Sequence, residues 1–170
     1  MIEELNLQCP YKVTIDSENF IYSFTTKNGI KYNIIFSDSM SYFSETSTIG
    51  NISKIYSITI DKISNEKPIL DTDVELTIDA VIIHFFKDTE KSIVYYCDNS
   101  DQKEKSSARK FGAWYLNSEF NSQTTKINNT IEIRGQEDTH FTSIIYHNDN
   151  PFLSDLTVAY YEMVDGLSKN

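Results

Sequence analysis

Apolar positions recur every second residue in the first part of the chain and every third or fourth residue later, so the pattern predicts strands before helices. Phe20, Tyr22 and Phe24 alternate with Ile21, Ser23 and Thr25, the period of a strand with two distinct faces. Asn28-Gly29 follows, a pair suited to a type I′ turn, and Ile30–Phe36 returns, so residues 19–36 read as a hairpin. The polar, Ser/Thr-rich stretch 37–50 reads as a loop. Lys54–Ile60, rich in β-branched residues, reads as the next strand.

Beyond Pro68 the period changes. Thr72-Asp73-Val74-Glu75 offers a capping box, with Thr72 as acceptor and Glu75 reaching back. Val74, Ile78, Ile82 and Phe85 then mark one face of a helix ending near Lys87, widened by Leu76, Ile83 and Phe86. Ser92–Cys97 is nearly continuous in apolar residues, as a strand inside a sheet should be. Asp98–Asp101 supplies an exit turn and a cap for a helix to about Ser118, with Ala108, Phe111 and Tyr115 on one face. Strands near Ile127–Arg134 and Phe141–His147 form an antiparallel pair. Asn150-Pro151 opens a last helix with Leu156, Tyr160, Met163 and Leu167 on its inner face, and Gly166 can stop it. The expectation is one α+β domain over residues 1–170. It has a mainly antiparallel sheet of about six strands and three helices, in the order ββ-β-α-β-α-ββ-α.

Composition narrows the function classes. The chain has 170 residues, 39% hydrophobic and 13% aromatic, which is too apolar for a disordered polymer. Its formal charge of −10, from 25 acidic and 15 basic residues, argues against a partner bound through phosphates. The same charge suits a basic protein partner, although solubility alone also accounts for it. Two cysteines, Cys9 and Cys97, are too few for a disulfide scaffold. No run reaches the roughly 20 apolar residues of a membrane helix, and Met1-Ile2-Glu3-Glu4-Leu5 lacks a signal pattern. The cytoplasm is the expected location, and neither a metal nor a cofactor is implied.

Candidate chemistry gathers where the strand ending at Cys97 feeds a helix, a place where sheets often hold ligands. The turn Asp98-Asn99-Ser100-Asp101 has no glycine to let a backbone approach a phosphate, and its aspartates repel anions. Asp98 and Asp101 could act as a carboxylate pair, or simply bond the local backbone. With Ser100, Lys103, Arg109 and Trp114 they make up the candidate ligand or partner set. Arg109 and Lys105 would serve equally to brace the turn. No catalytic triad stands out. Cys97 is the one candidate reactive thiol, and a buried structural role is the alternative. His84 reads as a packed core residue. His140 and His147, seven apart on a strand, should point to opposite faces and share no metal.

These same residues carry a resemblance. An apolar strand ending Cys97-Asp98, the Ser100-Asp101 turn, then Lys103, Arg109, Phe111, Trp114 and Tyr115 resemble a family of small bacterial proteins of unknown function, domain-of-unknown-function family 6169. The match extends more loosely to Asn28-Gly29-Ile30-Lys31-Tyr32, Phe85-Phe86 and Asn150-Pro151. Lys103 and Ser107 stand where the family helix tends to carry arginine, which weakens any anion-gripping cluster. The resemblance implies no activity. The element order is also similar to that of acetyl-CoA-dependent N-acyltransferases, whose pyrophosphate sits on a Gly-rich turn between strand and helix. Here residues 61–72 contain no glycine, so the cofactor loop is missing. Two functions stay open: a non-catalytic protein-binding or regulatory module, or a small enzyme or ligand binder using the 97–109 junction.

Overall fold

The computed structural model describes residues 1–63, 71–97, 112–132, 134–135 and 139–168. Its strands are β1 (Ile2–Leu5), β2 (Val13–Asp16), β3 (Ile21–Thr25), β4 (Lys31–Asp38), β5 (Ile55–Lys62), β6 (Ser92–Cys97), β7 (Thr124–Glu132) and β8 (Thr139–His147). Its helices are α1 (Thr72–Phe85), α2 (described over 112–117) and α3 (Leu153–Ser168). The class is α+β, with eight strands rather than about six, in the sheet order β1-β2-β3-β4-β5-β6-β8-β7. The two strands that the pattern missed are β1 and β2. Each has only four residues, and β1 is largely exposed, so neither shows a usable alternation. Antiparallel pairing joins β1 to β2, β2 to β3, β3 to β4, β6 to β8 and β7 to β8, whereas β5 meets β6 in parallel at Ile55↔Ser92 and Tyr56↔Ile93.

The chain divides into two compact units. One comprises Met1–Ser37 and Ser57–Lys87, the other Asp38–Tyr56 and the chain from Asp88 onward.

In the first unit the 19–36 hairpin forms, with Ile21 opposite Ile35 and Thr25 opposite Lys31. Its turn is not type I′. Gly29 has φ +78°, but Asn28 is not among the residues with positive φ. Gly29 N–H donates to Thr26 O and Thr26 N–H to Ile30 O, both at 2.9 Å. Three residues therefore connect the strands, with the left-handed position filled by glycine alone. Phe20 also has positive φ, +54°, a strained state for a bulky residue. Its ring lies 5.3 Å from Phe36 and 5.9 Å from Phe85, and this packing holds it there.

Helix α1 starts one residue earlier than the capping-box reading, because Asp71 and not Thr72 is the cap. Asp71 Oδ1 accepts from Asp73 N–H at 2.9 Å, and Asp71 Oδ2 accepts from the Tyr11 hydroxyl at 2.5 Å. A carboxylate at this end also meets the positive pole of the helix. Ile78, Val81, Ile82 and Phe85 are buried, and Phe86 caps the C-terminus, but Leu76 is exposed. His84 is a packed residue, with Nδ1 3.0 Å from the Tyr22 hydroxyl. Burial pushes the Tyr22 phenol up to about 12.

In the second unit, α3 covers one face of β6, β8 and β7. Leu156, Ala159, Tyr160 and Met163 pack with Val94, Ile144 and Tyr146. Asn150 Oδ1 accepts from Phe152 N–H at 2.8 Å, fixing the chain entry just before Leu153. The helix continues through Gly166 to Ser168, so that glycine stops nothing. On the opposite face α2 sets Tyr115 against β7, with its hydroxyl 2.9 Å from Thr124 Oγ1.

The 37–50 segment is ordered by 3-10 turns at Met40–Phe43 and Ile49–Asn51. Ser47 N–H and Ser47 Oγ–H donate to the two carboxylate oxygens of Glu162 at 2.7 and 2.6 Å, and Thr48 Oγ1–H donates to Asp155 O at 2.7 Å. Asp155 and Glu162 are seven residues apart, two turns of α3, so one helix edge pins the segment at two points. The Ser47 hydroxyl and then its amide hold the Glu162 carboxyl below its ordinary value. A carboxylate depressed on folding stabilises the native state above its unfolded pKa, and that contribution disappears as pH falls through the folded value. Ser47→Ala leaves only the amide bond, so the Glu162 midpoint should rise toward about 4.3. A carboxyl-carbon NMR titration reads this directly, and an unchanged midpoint would contradict the contact.

Candidate functional site at the end of strand β6

Strand β6 is hydrogen-bonded on both sides and delivers the chain to residue 98. Of the six candidates from the sequence, Asp98, Ser100, Asp101, Lys103 and Arg109 lie outside the described residues, as does Phe111. So does the start of the helix they were expected to cap. Trp114 is described. It is half-buried on α2, with its ring edge-on to Phe120 at 5.7 Å. Tyr115, its neighbour, is buried and also meets Phe120, at 5.4 Å. Both aromatics therefore anchor α2, as their burial value suggests.

The cysteines offer no activated thiol among the described side chains. Cys97 ends β6, and its side chain lies outside the described residues. Cys9 Sγ donates to Tyr11 O at 3.2 Å, and burial raises its pKa, which keeps it a thiol. Among the described residues, no three His, Cys, Asp or Glu side chains converge as a metal site requires.

What the structure adds at this strand end is a phenol–imidazole pair. Tyr96, the penultimate residue of β6, places its hydroxyl 2.7 Å from His140 Nδ1. The rings are tilted at 43° with centroids 5.8 Å apart. His140 is 4% exposed and Tyr96 36%, so a buried imidazole orients a phenol that reaches solvent. The register explains the meeting. Tyr96 stands opposite Thr142 on β8, and His140 is two residues from Thr142 on the same face. Alternation sends His147 to the other face, as the odd spacing implied. A phenol held in this way can donate to or accept from a ligand group at the strand end, with the imidazole taking the complementary role.

The sequence reading passed over this pair. The strand expected from Phe141 in fact starts at Thr139 and includes His140. The partner Tyr96 stands 44 residues away, across α2 and β7. Only the cross-strand register brings them together, and one sequence does not reveal register across such a separation.

Residues 70–162 match the sequence model of a family of unknown function, DUF6169. The chain belongs to that family. The DUF6169 region begins at the foot of α1 and reaches into α3, and so contains Tyr96, Trp114 and His140. Neither the curated proteins nor the solved structures contain a match to the chain.

Removing the hydroxyl with Tyr96→Phe takes a hydrogen-bond partner from a buried imidazole, which should cost about 1–3 kcal/mol. Urea unfolding of the two proteins measures this; equal stability would show that the bond contributes nothing net.

Proposed function

We propose that this DUF6169 protein is a non-catalytic protein-binding or regulatory module of the bacterial cytoplasm, contacting a basic partner through an acidic surface that carries aromatic residues. The observation that carries this reading is the outer face of α3. Ser154, Val158, Tyr161 and Asp165 recur there at spacings of four, three and four, all exposed. Val158 is 42% and Tyr161 51% exposed, apolar area that a helix facing only water does not need. Asp155, Glu162 and Asp165 surround the two, and the chain carries a formal charge of −10. A partner with a basic rim and an apolar centre complements both features.

The experiment is capture from a native lysate with the wild type and with a Val158→Ser/Tyr161→Ser variant. A stoichiometric partner is expected on the wild type. Its recovery should fall on the variant, and should fall with the wild type as salt rises from about 0.05 to about 0.5 M. Recovery of no stoichiometric partner overturns the reading.

A second reading rests on a different observation, the Tyr96–His140 pair at the end of β6. In it the chain is a small enzyme or ligand binder of degenerate N-acyltransferase-like topology. The element order, with its single parallel pairing of β5 and β6, supports that comparison. The ligand would meet Tyr96 at the junction, alongside Asp98, Ser100, Asp101, Lys103, Arg109 and Trp114. Thermal-shift measurements with nucleotides, acyl-CoA and divalent cations separate this from the first reading. Ligand at about 100 times its Kd should stabilise the protein by about 2.7 kcal/mol, and no shift with any of them rejects it.

A further inference from the structure

Beneath α3 the interface with β7 and β8 is apolar at one end and polar at the other. Ile127 and Ile144, directly opposite each other, join the core under the helix. Two residues further along the same face of each strand, Asn129 stands opposite Thr142. Tyr160, fully buried, comes down from α3 onto this step. Burial raises its phenol pKa, while the Asn129 amide and Thr142 hydroxyl act in the opposite sense, which marks both as facing Tyr160 Oη.

They face it without bonding to it. Neither Tyr160 Oη nor Asn129 Nδ2 makes a hydrogen bond within the chain, although both atoms are shielded from solvent. Thr142 Oγ1 gives its proton to Tyr95 O at 2.8 Å, so that oxygen keeps only accepting capacity toward the interface. Three polar atoms thus surround one point with complementary needs. Asn129 Nδ2 can only donate, the Tyr160 hydroxyl has a proton to give, and Thr142 Oγ1 can only accept.

We propose that this point is the binding site of a single buried water molecule. It would accept from Asn129 Nδ2–H and from Tyr160 Oη–H, and donate to Thr142 Oγ1. Three hydrogen bonds are the usual complement of an internal water. A cation does not fit, because two of the three groups present hydrogens. An anion does not fit either, because nothing positively charged is among the three. The water joins Tyr160, in the interior of the helix interface, to Thr142, whose cross-strand neighbour is Tyr96. A line of polar groups then runs from beneath α3 to the phenol that His140 orients at the strand end.

The test is a high-resolution crystal structure of the full chain, with water–protein cross-relaxation in solution as a second measurement. One ordered water is expected within about 3.2 Å of Tyr160 Oη, Asn129 Nδ2 and Thr142 Oγ1. A cross-peak from the Asn129 amide protons to a long-lived water is expected too, and it should be lost or weakened in Tyr160→Phe. A direct bond between Tyr160 Oη and Asn129 Nδ2 with no water between them overturns the proposal. So does the absence of any long-lived water near Asn129, a result that the wild type alone can give if Tyr160→Phe fails to fold.

Discussion

In the second unit everything hangs on β8 lying between β6 and β7. Its nine residues pair antiparallel with β7 along their whole length, and six of them pair with β6. A strand bonded on both edges has its side chains fixed on two faces, and a shift of one residue would exchange those faces. One face gives Ile144 and Tyr146 to the core beneath α3, and His140 to the phenol of Tyr96. The other gives buried Ile145 and Ser143, opposite Lys126 and Asn128. Ser143 Oγ–H donates to Asn128 Oδ1 at 2.7 Å, and the Lys126 ammonium lies 6.0 Å over the Tyr115 ring. The candidate pair, the polar step under Tyr160 and the seat of α2 therefore share one register.

Where β5 meets β6, the backbone departs from ordinary geometry and side chains hold it. Lys54 has φ +57°, a state costing a non-glycine residue about 1–2 kcal/mol. Its carbonyl accepts from Ser92 N–H at 3.0 Å, so this conformation sets the first bond of β6. Its ammonium bonds Glu90 at 2.6 Å and Asp88 at 2.9 Å, which raises its pKa. Both carboxylates belong to the turn that enters β6. One residue thus fixes the start of the strand through its backbone and the preceding turn through its side chain.

Most elements were legible because each declares itself within ten or fifteen residues. The alternation at Phe20–Phe24, the 3.6 period of α1 and α3 and the apolar run of β6 are local signals. What failed was either shorter or longer in range. Strands β1 and β2 are too brief to show a period. The Asp71 cap outcompetes Thr72 because Tyr11, 60 residues away, holds the carboxylate in place. The 37–50 segment looks like a loop because its order comes from Glu162 and Asp155 of α3, more than 100 residues on. The site followed the same rule. Cys97 to Arg109 stood out as a motif, but Tyr96 and His140 are individually commonplace residues.

Family membership gives that contrast a functional sense. The DUF6169 match starts at residue 70 and ends at Glu162, so β1 to β5 stand outside it, and α1, all of β6 to β8 and most of α3 fall within it. The shared part therefore includes the register that joins Tyr96 to His140, the polar step at Asn129 and Thr142, and the carboxylate that pins Ser47. It also includes Val158 and Tyr161 on the outer face of the same helix. A partner bound on that outer face would bear on the helix whose inner face carries Tyr160. Interiors are close-packed and transmit displacement, so a shift of α3 would be felt at Thr142 and next at Tyr96. A binding surface and a responsive strand end are therefore two sides of one helix, a suitable construction for a regulatory module.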